Sequence, residues 1–441
     1  MSKSREFRHK SIRDPLYGFI GLSETETKII DTQVFKRLHA IKQLSHAYVV
    51  YPSAIHTRFE HSLGCNYIAN EMCEELEVTG EEKKDVRLAA LLHDVGHGPY
   101  SHLFEHIIQD INPELEGPHE KISTLIVNED ADLDGIIRDR KKSVVEILNS
   151  TSESLFADAP KSLLSNIVSG GIDADKLDYL RRDSYHIGVA YGQFDLDRIL
   201  QMIKRTPRKK TRIGIDTKGK DALENYRLGR YLMHAQVYEH HTRLAADQMF
   251  LQALDIAINE EDVIDKKLLR VKDSDNEEFL KFYLSLDDNS IYHDIISSDK
   301  SKISREILLN IKKRKLLKRA CEFTPKSLKG EADASDYLRR LSKDKLHEIA
   351  EEVAQGSGLE KHEVIFHKSE IDIKLFEEGE ILILKDGRVD DFQEESPISA
   401  EANVTKYYVY APDDTRKQEK IAKGISDVLQ VSIEHISRFR R

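Results

Sequence analysis

Residues 89–105 read Ala-Ala-Leu-Leu-His-Asp-Val-Gly-His-Gly-Pro-Tyr-Ser-His-Leu-Phe-Glu. An apolar run leads into His93-Asp94, and His97 and His102 follow shortly after. On a helix, His93 and His97, at i and i+4, would face the same way. Gly96, Gly98 and Pro99 end such a helix and keep the backbone open around the later histidines. An imidazole beside a carboxylate is a common ligand pair for a first-row metal. An isolated His-Asp pair is more often a capped helix end, so the rest of the chain must decide.

The chain has 441 residues, enough for two or three domains and a sizeable core. Hydrophobic residues at 39% and charged residues at 33% fit a soluble, charge-rich and mainly α protein. A net charge of −11 argues against generic adhesion to nucleic acid. Cys65, Cys73 and Cys321 have no zinc-ribbon spacing and fit a reducing interior. No secretory signal and no membrane-length apolar window is visible, so a cytoplasmic protein with no membrane partner is expected.

Around the opening stretch the pattern is helical. Residues 12–22 predict a small hairpin, and 24–44 a pair of helices with Asp31-Thr32 as the cap between them. Tyr48 to Pro52 reads as extended. Thr57 to Gly64 opens a helix reaching about Leu76, and further helices are expected over 86–93, 101–110, 120–128 and 142–148. In Asp173-Ala174-Asp175-Lys176-Leu177-Asp178-Tyr179-Leu180-Arg181-Arg182-Asp183, helical spacing puts Asp175, Tyr179 and Asp183 on one face beside Lys176. Two acids, a phenol and an amine suit a polar pocket, although a solvated face would look the same. A hairpin near 208–216 and one long helix over about 220–258 follow. An amphipathic helix over 301–320 carries the basic run Lys312-Lys313-Arg314-Lys315, by default a solvated face. Beyond residue 358 short strands, an Asp386-Gly387 hairpin turn and a helix over 415–429 predict a small α/β lobe. The expected division is a helical catalytic core (1–260), a helical extension (261–357) and a C-terminal α/β lobe (358–441).

His61, His93, Asp94 and Asp175 each sit in or just after a helical apolar pattern. Nitrogen and oxygen ligands from separate helices would hold one divalent ion, leaving positions for water and a phosphate oxygen. Such an ion would lower the pKa of the water and offset charge building on phosphorus. His102, Glu105 and His119 are the nearby candidates to protonate a leaving oxygen.

The order His61, His93-Asp94, Asp175 resembles the H…HD…D signature of HD-domain phosphohydrolases. Asp14-Pro15-Leu16-Tyr17-Gly18, Ile41-Lys42-Gln43-Leu44, Arg58-Phe59-Glu60-His61-Ser62-Leu63-Gly64, the stretch 93–102 and Gly171-Ile172-Asp173-Ala174-Asp175-Lys176-Leu177-Asp178-Tyr179 narrow the likeness. Together they resemble the deoxynucleoside triphosphate triphosphohydrolases over about residues 10–260, and among these the branch with a sterile-alpha-motif domain, here without that domain. The resemblance implies that His61, His93, Asp94 and Asp175 bind one divalent metal (Mn, Fe, Zn, Ni or Mg). It implies that His102 approaches the α-phosphate and that His119 pairs with Glu105, where the family usually has aspartate. Arg58, Lys176 and Arg230 would grip the triphosphate, and Gln43 and Asp183 would bond the sugar 3′-hydroxyl. Leu44 and Tyr238 would exclude a ribose 2′-hydroxyl, and Tyr179 would line the pocket.

The reaction so implied is water attack on the α-phosphorus, giving a deoxynucleoside and inorganic triphosphate. A regulatory nucleotide, with Mg, between subunits of a homo-oligomer (tetramer or dimer) would meet Asp31, Val50, Tyr51, Arg198, Lys218 and His240. Lys36 and His39 stand where the family reads guanine with glutamine and arginine, and a lysine offers donors only. Two other readings fit the residues: an HD phosphohydrolase for a monophosphate or cyclic nucleotide, and a binder of nucleotides or single-stranded nucleic acid.

Overall fold

The structure, a computed structural model, describes residues 9–149, 162–206, 212–272, 276–325, 337–371, 382–385, 388–392, 404–432 and 437–438. It is mainly α, with small sheets, as the sequence predicts. The chain forms two compact units that interleave along the sequence: 1–233, 265–293 and 375–400 make the first, the remainder the second. The three sequential segments drawn from composition stay a proposal about modules.

In the first unit, β1 (Lys10–Asp14) and β2 (Gly18–Leu22) form the expected antiparallel hairpin. Helix α1 (Glu24–Ile30) starts with a Ser23/Glu26 capping box, and Thr32 caps α2 (Gln33–Lys36). Tyr48 to Pro52 is not extended: Ala47–Val49 is a 3₁₀ turn with Ala47 fully buried beneath it. The layer that carries the polar residues is α3 (Arg58–Glu75), α4 (Gly80–Leu92), α5 (His102–Ile111), α6 (Pro118–Glu129), α7 (Ala131–Ile137), α8 (Lys141–Asn149), α9 (Leu163–Val168) and α10 (Ala174–Ile187). The periodicity reading missed α7, a single short helix capped by Asp130.

Helix α3 is buried on most sides because α4 and α10 both pack on it. Gly64 permits the second contact: a Cβ there would stand 1.9 Å from Asp178 and 2.4 Å from Arg182. In α5, Leu103, Phe104, Ile107, Ile108 and Ile111 form the buried stripe, which turns His102 and Glu105 to the same other face, at i and i+3.

After α11 (Leu196–Met202), β3 (Ile203–Arg205) pairs with β4 (Ile213–Asp216). Strand β4 then takes a parallel partner from far along the chain, β7 (Leu382–Lys385), which pairs with β8 (Arg388–Asp391). That hairpin thus belongs to the first unit rather than to a C-terminal lobe. Its expected turn residues, Asp386-Gly387, lie outside the described residues.

The long helix expected over 220–258 is broken. Helix α12 (Lys220–Met233) ends in a π-type turn, His234–Tyr238, and α13 (His241–Asn259) restarts with His240 as its cap. The basic run also leaves its helix: α14 (Ile303–Lys312) stops before Lys313, Arg314 has φ 55°, and β5 (Lys318–Phe323) follows. The second unit closes β5, β6 (Ile365–Ile371), β9 (Val404–Ala411) and β10 (Ser437–Arg438) into one antiparallel sheet. Helices Lys343–Ser357 and Thr415–Leu429 contribute Ile349, Val353, Ile421 and Ile425 to its core.

Candidate active site

Four side chains from two helices and one turn converge in the first unit. Asp175 Oδ1 lies 3.0 Å from His61 Nε2 and 3.8 Å from His93 Nε2. Asp94 Oδ1 lies 3.2 Å from His93 Nε2, and Asp94 Oδ2 lies 3.5 Å from His61 Nε2. Helix α4 ends at Leu92, so His93 and Asp94 occupy its C-terminal corner, and His97 is not on the same helical face as His93.

Each imidazole is oriented from behind. His93 Nδ1 donates to the Ala90 carbonyl at 2.8 Å, which leaves the lone pair on Nε2. That buried Nε2 has no hydrogen-bond partner among the described residues. His61 Nδ1 donates to Asp178 Oδ2 at 2.8 Å, since Asp178 is kept ionised by Arg182 and can only accept. Burial alone would raise the Asp178 pKa, but Arg182 and His61 bring it down to about 2. Tyr17 Oη donates to the same carboxylate at 2.8 Å, and Arg182 reaches on to Asp14 at 2.9 Å.

Two inward-facing imidazole lone pairs and two carboxylates fit one divalent cation, with Asp178 fixing a ligand's tautomer. Cys65 Sγ also lies within 3.5 Å of His61 Nε2. Burial pushes its thiol pKa far up in the metal-free protein, whereas Asp94 offers a ready-made charge beside both imidazoles.

Asp94 also leads into a second cluster. Arg58 Nη1 donates to Asp94 Oδ2 at 2.6 Å, while Oδ1 lies 3.2 Å from His97 Nε2. His97 Nδ1 is 2.8 Å, His102 Nδ1 3.0 Å and His119 Nδ1 3.0 Å from the Glu105 carboxylate. The His97 and His119 rings stack at 4.1 Å, yet their proton affinities diverge. Burial, then the charges of Arg58 and His119, push His97 down to about 3. Burial also works against a charge on His119, but Glu105 outweighs it and holds His119 up at about 9. Splitting paired groups in this way yields one neutral and one proton-bearing imidazole.

His97 is the residue that sequence reasoning left without a role. Its position between Asp94 and Glu105 depends on a turn that no local signal dictates. A Cβ on Gly96 would meet the His119 carbonyl at 2.2 Å, so only glycine lets α6 approach. Tyr100 and Ser101 take left-handed φ values of 56° and 57° just before His102.

Distant groups hold this strained corner. Arg37 donates to the carbonyls of Val95, His97 and Leu286, and Tyr283 Oη to that of Gly96 at 2.7 Å. Asp288 accepts from the Tyr100 amide at 2.6 Å and from Lys42. Tyr283→Phe removes one of these bonds with no change of volume. We expect a loss of about 1 kcal/mol in stability and faster amide exchange over 94–106 alone, read by hydrogen-exchange mass spectrometry beside a thermal melt.

The remaining predicted residues fall in three groups. Arg58 is buried and spent on Asp94 and on Ser101 Oγ, at 2.9 Å. Lys176 Nζ donates to Asp173 at 2.6 Å and to the Gly170 carbonyl at 2.9 Å, and Arg230 acts electrostatically on both Lys176 and Tyr179. Tyr179 stands edge-on to His61 at 6.5 Å. Gln43, Leu44 and Asp183 are buried, and Asp183 bonds His56. Among the regulatory candidates, Asp31 is exposed and 3.7 Å from Lys36 Nζ, and His39 stacks on Phe59 at 3.6 Å. Arg198 Nη2 donates to the Lys218 carbonyl at 2.8 Å; Val50 and Tyr51 follow the 3₁₀ turn. Tyr238 and His240 belong to the second unit.

A family model for the HD domain matches residues 58–181, and one for the HD-associated region matches residues 194–439. The chain belongs to the HD-domain phosphohydrolase family. This HD-domain chain is 37% identical over 323 residues to an uncharacterized protein of Methanocaldococcus jannaschii, an alignment covering 71% of this chain and 66% of that one. It is 32% identical over 354 residues to the deoxynucleoside triphosphate triphosphohydrolase SAMHD1 of Homo sapiens, covering 72% of this chain and 55% of that one. It therefore spans less than two thirds of the length of these curated relatives. A crystal structure of a phosphohydrolase from Bacteroides thetaiotaomicron superposes with TM-score 0.70 at 27% identity, over 91% of this chain and 99% of that one.

Proposed function

We propose that this protein is a metal-dependent dNTP triphosphohydrolase that releases deoxynucleoside and inorganic triphosphate. The observation that carries the reading is the junction at Asp94: the His61–His93–Asp94–Asp175 cluster and an imidazole–carboxylate cluster meet there, through His97. A divalent ion held by His61, His93, Asp94 and Asp175 would supply positive charge against phosphate oxygens and acidify a water. Mn, Fe, Zn, Ni and Mg all suit such ligands.

The chain's own residues supply the rest. Protonated His119, held by Glu105, can deliver a proton to a leaving oxygen, and exposed His102 beside it can meet the α-phosphate. Lys176 and Arg230 are the cations for the triphosphate tail, Gln43 and Asp183 the sugar contacts, Leu44 a wall against a 2′-hydroxyl, and Tyr179 a lining of the sugar-phosphate pocket. Regulation by a nucleotide with Mg in a homo-oligomer, through Asp31, Val50, Tyr51, Arg198 and Lys218, belongs to the same proposal. The Lys36 ammonium facing Asp31 favours an effector other than guanine, because it competes for the carboxylate that would read the base.

The test is anion-exchange separation of products after incubation with each dNTP and manganese, with and without GTP or dGTP. Triphosphate plus deoxynucleoside is expected. Orthophosphate plus a dNDP would overturn the chemistry, and no turnover of any dNTP would overturn the substrate class.

A further inference from the structure

His56 is assigned no role by any argument so far, yet it joins the two residues given to the sugar 3′-hydroxyl. Its Nε2 lies 2.7 Å from Asp183 Oδ1, and both side chains are almost fully buried. Its backbone carbonyl accepts from the Gln43 backbone N–H at 3.0 Å, next to the Lys42–Thr57 bridge. Gln43 Oε1 is itself buried with no hydrogen-bond partner among the described residues.

The His56 ring is also clamped. It stacks on His186 at 4.5 Å with an interplanar angle of 10°, and His186 Nε2 lies 3.2 Å from Glu60. A buried carboxylate needs a fixed donor to keep one rotamer, and a shared neighbour fixes the spacing between Asp183 and Gln43.

We propose that His56 is a positioning residue for sugar recognition, holding Asp183 and Gln43 in register for a 3′-hydroxyl. The proposal rests on the dNTP reading above and deepens it. It makes the three-residue unit Gln43–His56–Asp183, rather than Asp183 alone, the determinant that separates a deoxynucleotide from its 3′-deoxy counterpart. A site built to bond a hydroxyl rejects the analogue lacking it, because its buried polar groups are then left unpaired. Loosening the carboxylate removes that advantage selectively.

The experiment compares kcat/KM for dTTP and for 2′,3′-dideoxy-TTP in the full-length wild type and three variants. His56→Phe keeps a ring against His186 without the N–H, His56→Asn shortens the side chain, and His56→Gln keeps an N–H near the Nε2 position. The Phe and Asn variants are expected to lose about tenfold or more on dTTP with little change on the dideoxy substrate, so the ratio falls toward one; the Gln variant restores it. A purely structural role would lower both substrates equally, and an unchanged ratio in both the Phe and Asn variants would overturn the inference. Equal use of dTTP and its dideoxy analogue by the wild type would overturn the sugar assignment itself, and no turnover of either would overturn the dNTP reading; the inference falls with them in either case.

Discussion

An Asp94→Asn protein is expected to hydrolyse any nucleotide at less than about a thousandth of the wild-type rate and to melt well below it. The substitution keeps the side-chain shape and removes one charge. That charge serves three neighbours at once: Arg58 at 2.6 Å, His97 at 3.2 Å and His93 at 3.2 Å. Arg58 and Asp94 are both buried, so losing the carboxylate leaves a desolvated guanidinium with no counter-charge on that side. Breaking such a pair costs about 3–5 kcal/mol. Burial alone would raise the Asp94 pKa, yet Arg58 and the imidazoles hold it well below the ordinary carboxylate range. Its stabilising contribution is therefore present above the unfolded-state pKa and lost as pH falls through the lower folded value. The same charge would serve the proposed cation. Manganese titration by calorimetry should show affinity falling by more than about a hundredfold, and added manganese should raise the melting temperature of the wild type but not of the variant. An Asn variant with wild-type manganese affinity would remove Asp94 from the ligand set.

Much of the candidate site could be read before the fold because its residues carry their own signals. His93-Asp94 follows an apolar run and precedes two glycines, and Asp175 opens an amphipathic helix. What the sequence concealed is everything held by packing across long separations. The His61–Asp178 bond spans 117 residues, His56–Asp183 127, and Tyr100–Asp288 188. Asp178 reads as one more acid in a charged helix; only α3, admitted by Gly64, turns it into the partner that orients His61. The same limit explains the elements misread. Apolar spacing continues from α12 into α13, so nothing in the period marks the π turn at His234–Tyr238. The pairing of β7 with β4 is a parallel contact between strands more than 160 residues apart, which no local pattern encodes.

Replacing Glu105 by glutamine is expected to lower the rate by about a hundred- to ten-thousandfold near neutral pH and to move the alkaline limb of the pH profile downward. The cause is His119. In the wild type, burial opposes its charge but Glu105 holds its pKa at about 9, so it carries a proton throughout the neutral range. Activity that needs this proton falls as pH rises through about 9. Glutamine at the same position still offers an oxygen but no charge. Burial then dominates, and His119 is driven back toward or below its ordinary 6.5. The stability argument has the same sign. A histidine whose folded pKa lies above its unfolded value adds stability that is complete below the unfolded value and lost as pH rises through the folded one, here from about 6.5 to about 9. The wild type should therefore lose melting temperature across that window more steeply than Glu105→Gln. Glu105→Asp, which keeps the charge on a shorter arm, should retain the high alkaline limb with a smaller loss of rate. Profiles of kcat from pH 5 to 10, with melts at each point, separate the two variants; an alkaline limb that stays near 9 in Glu105→Gln would show that the working proton is not on His119.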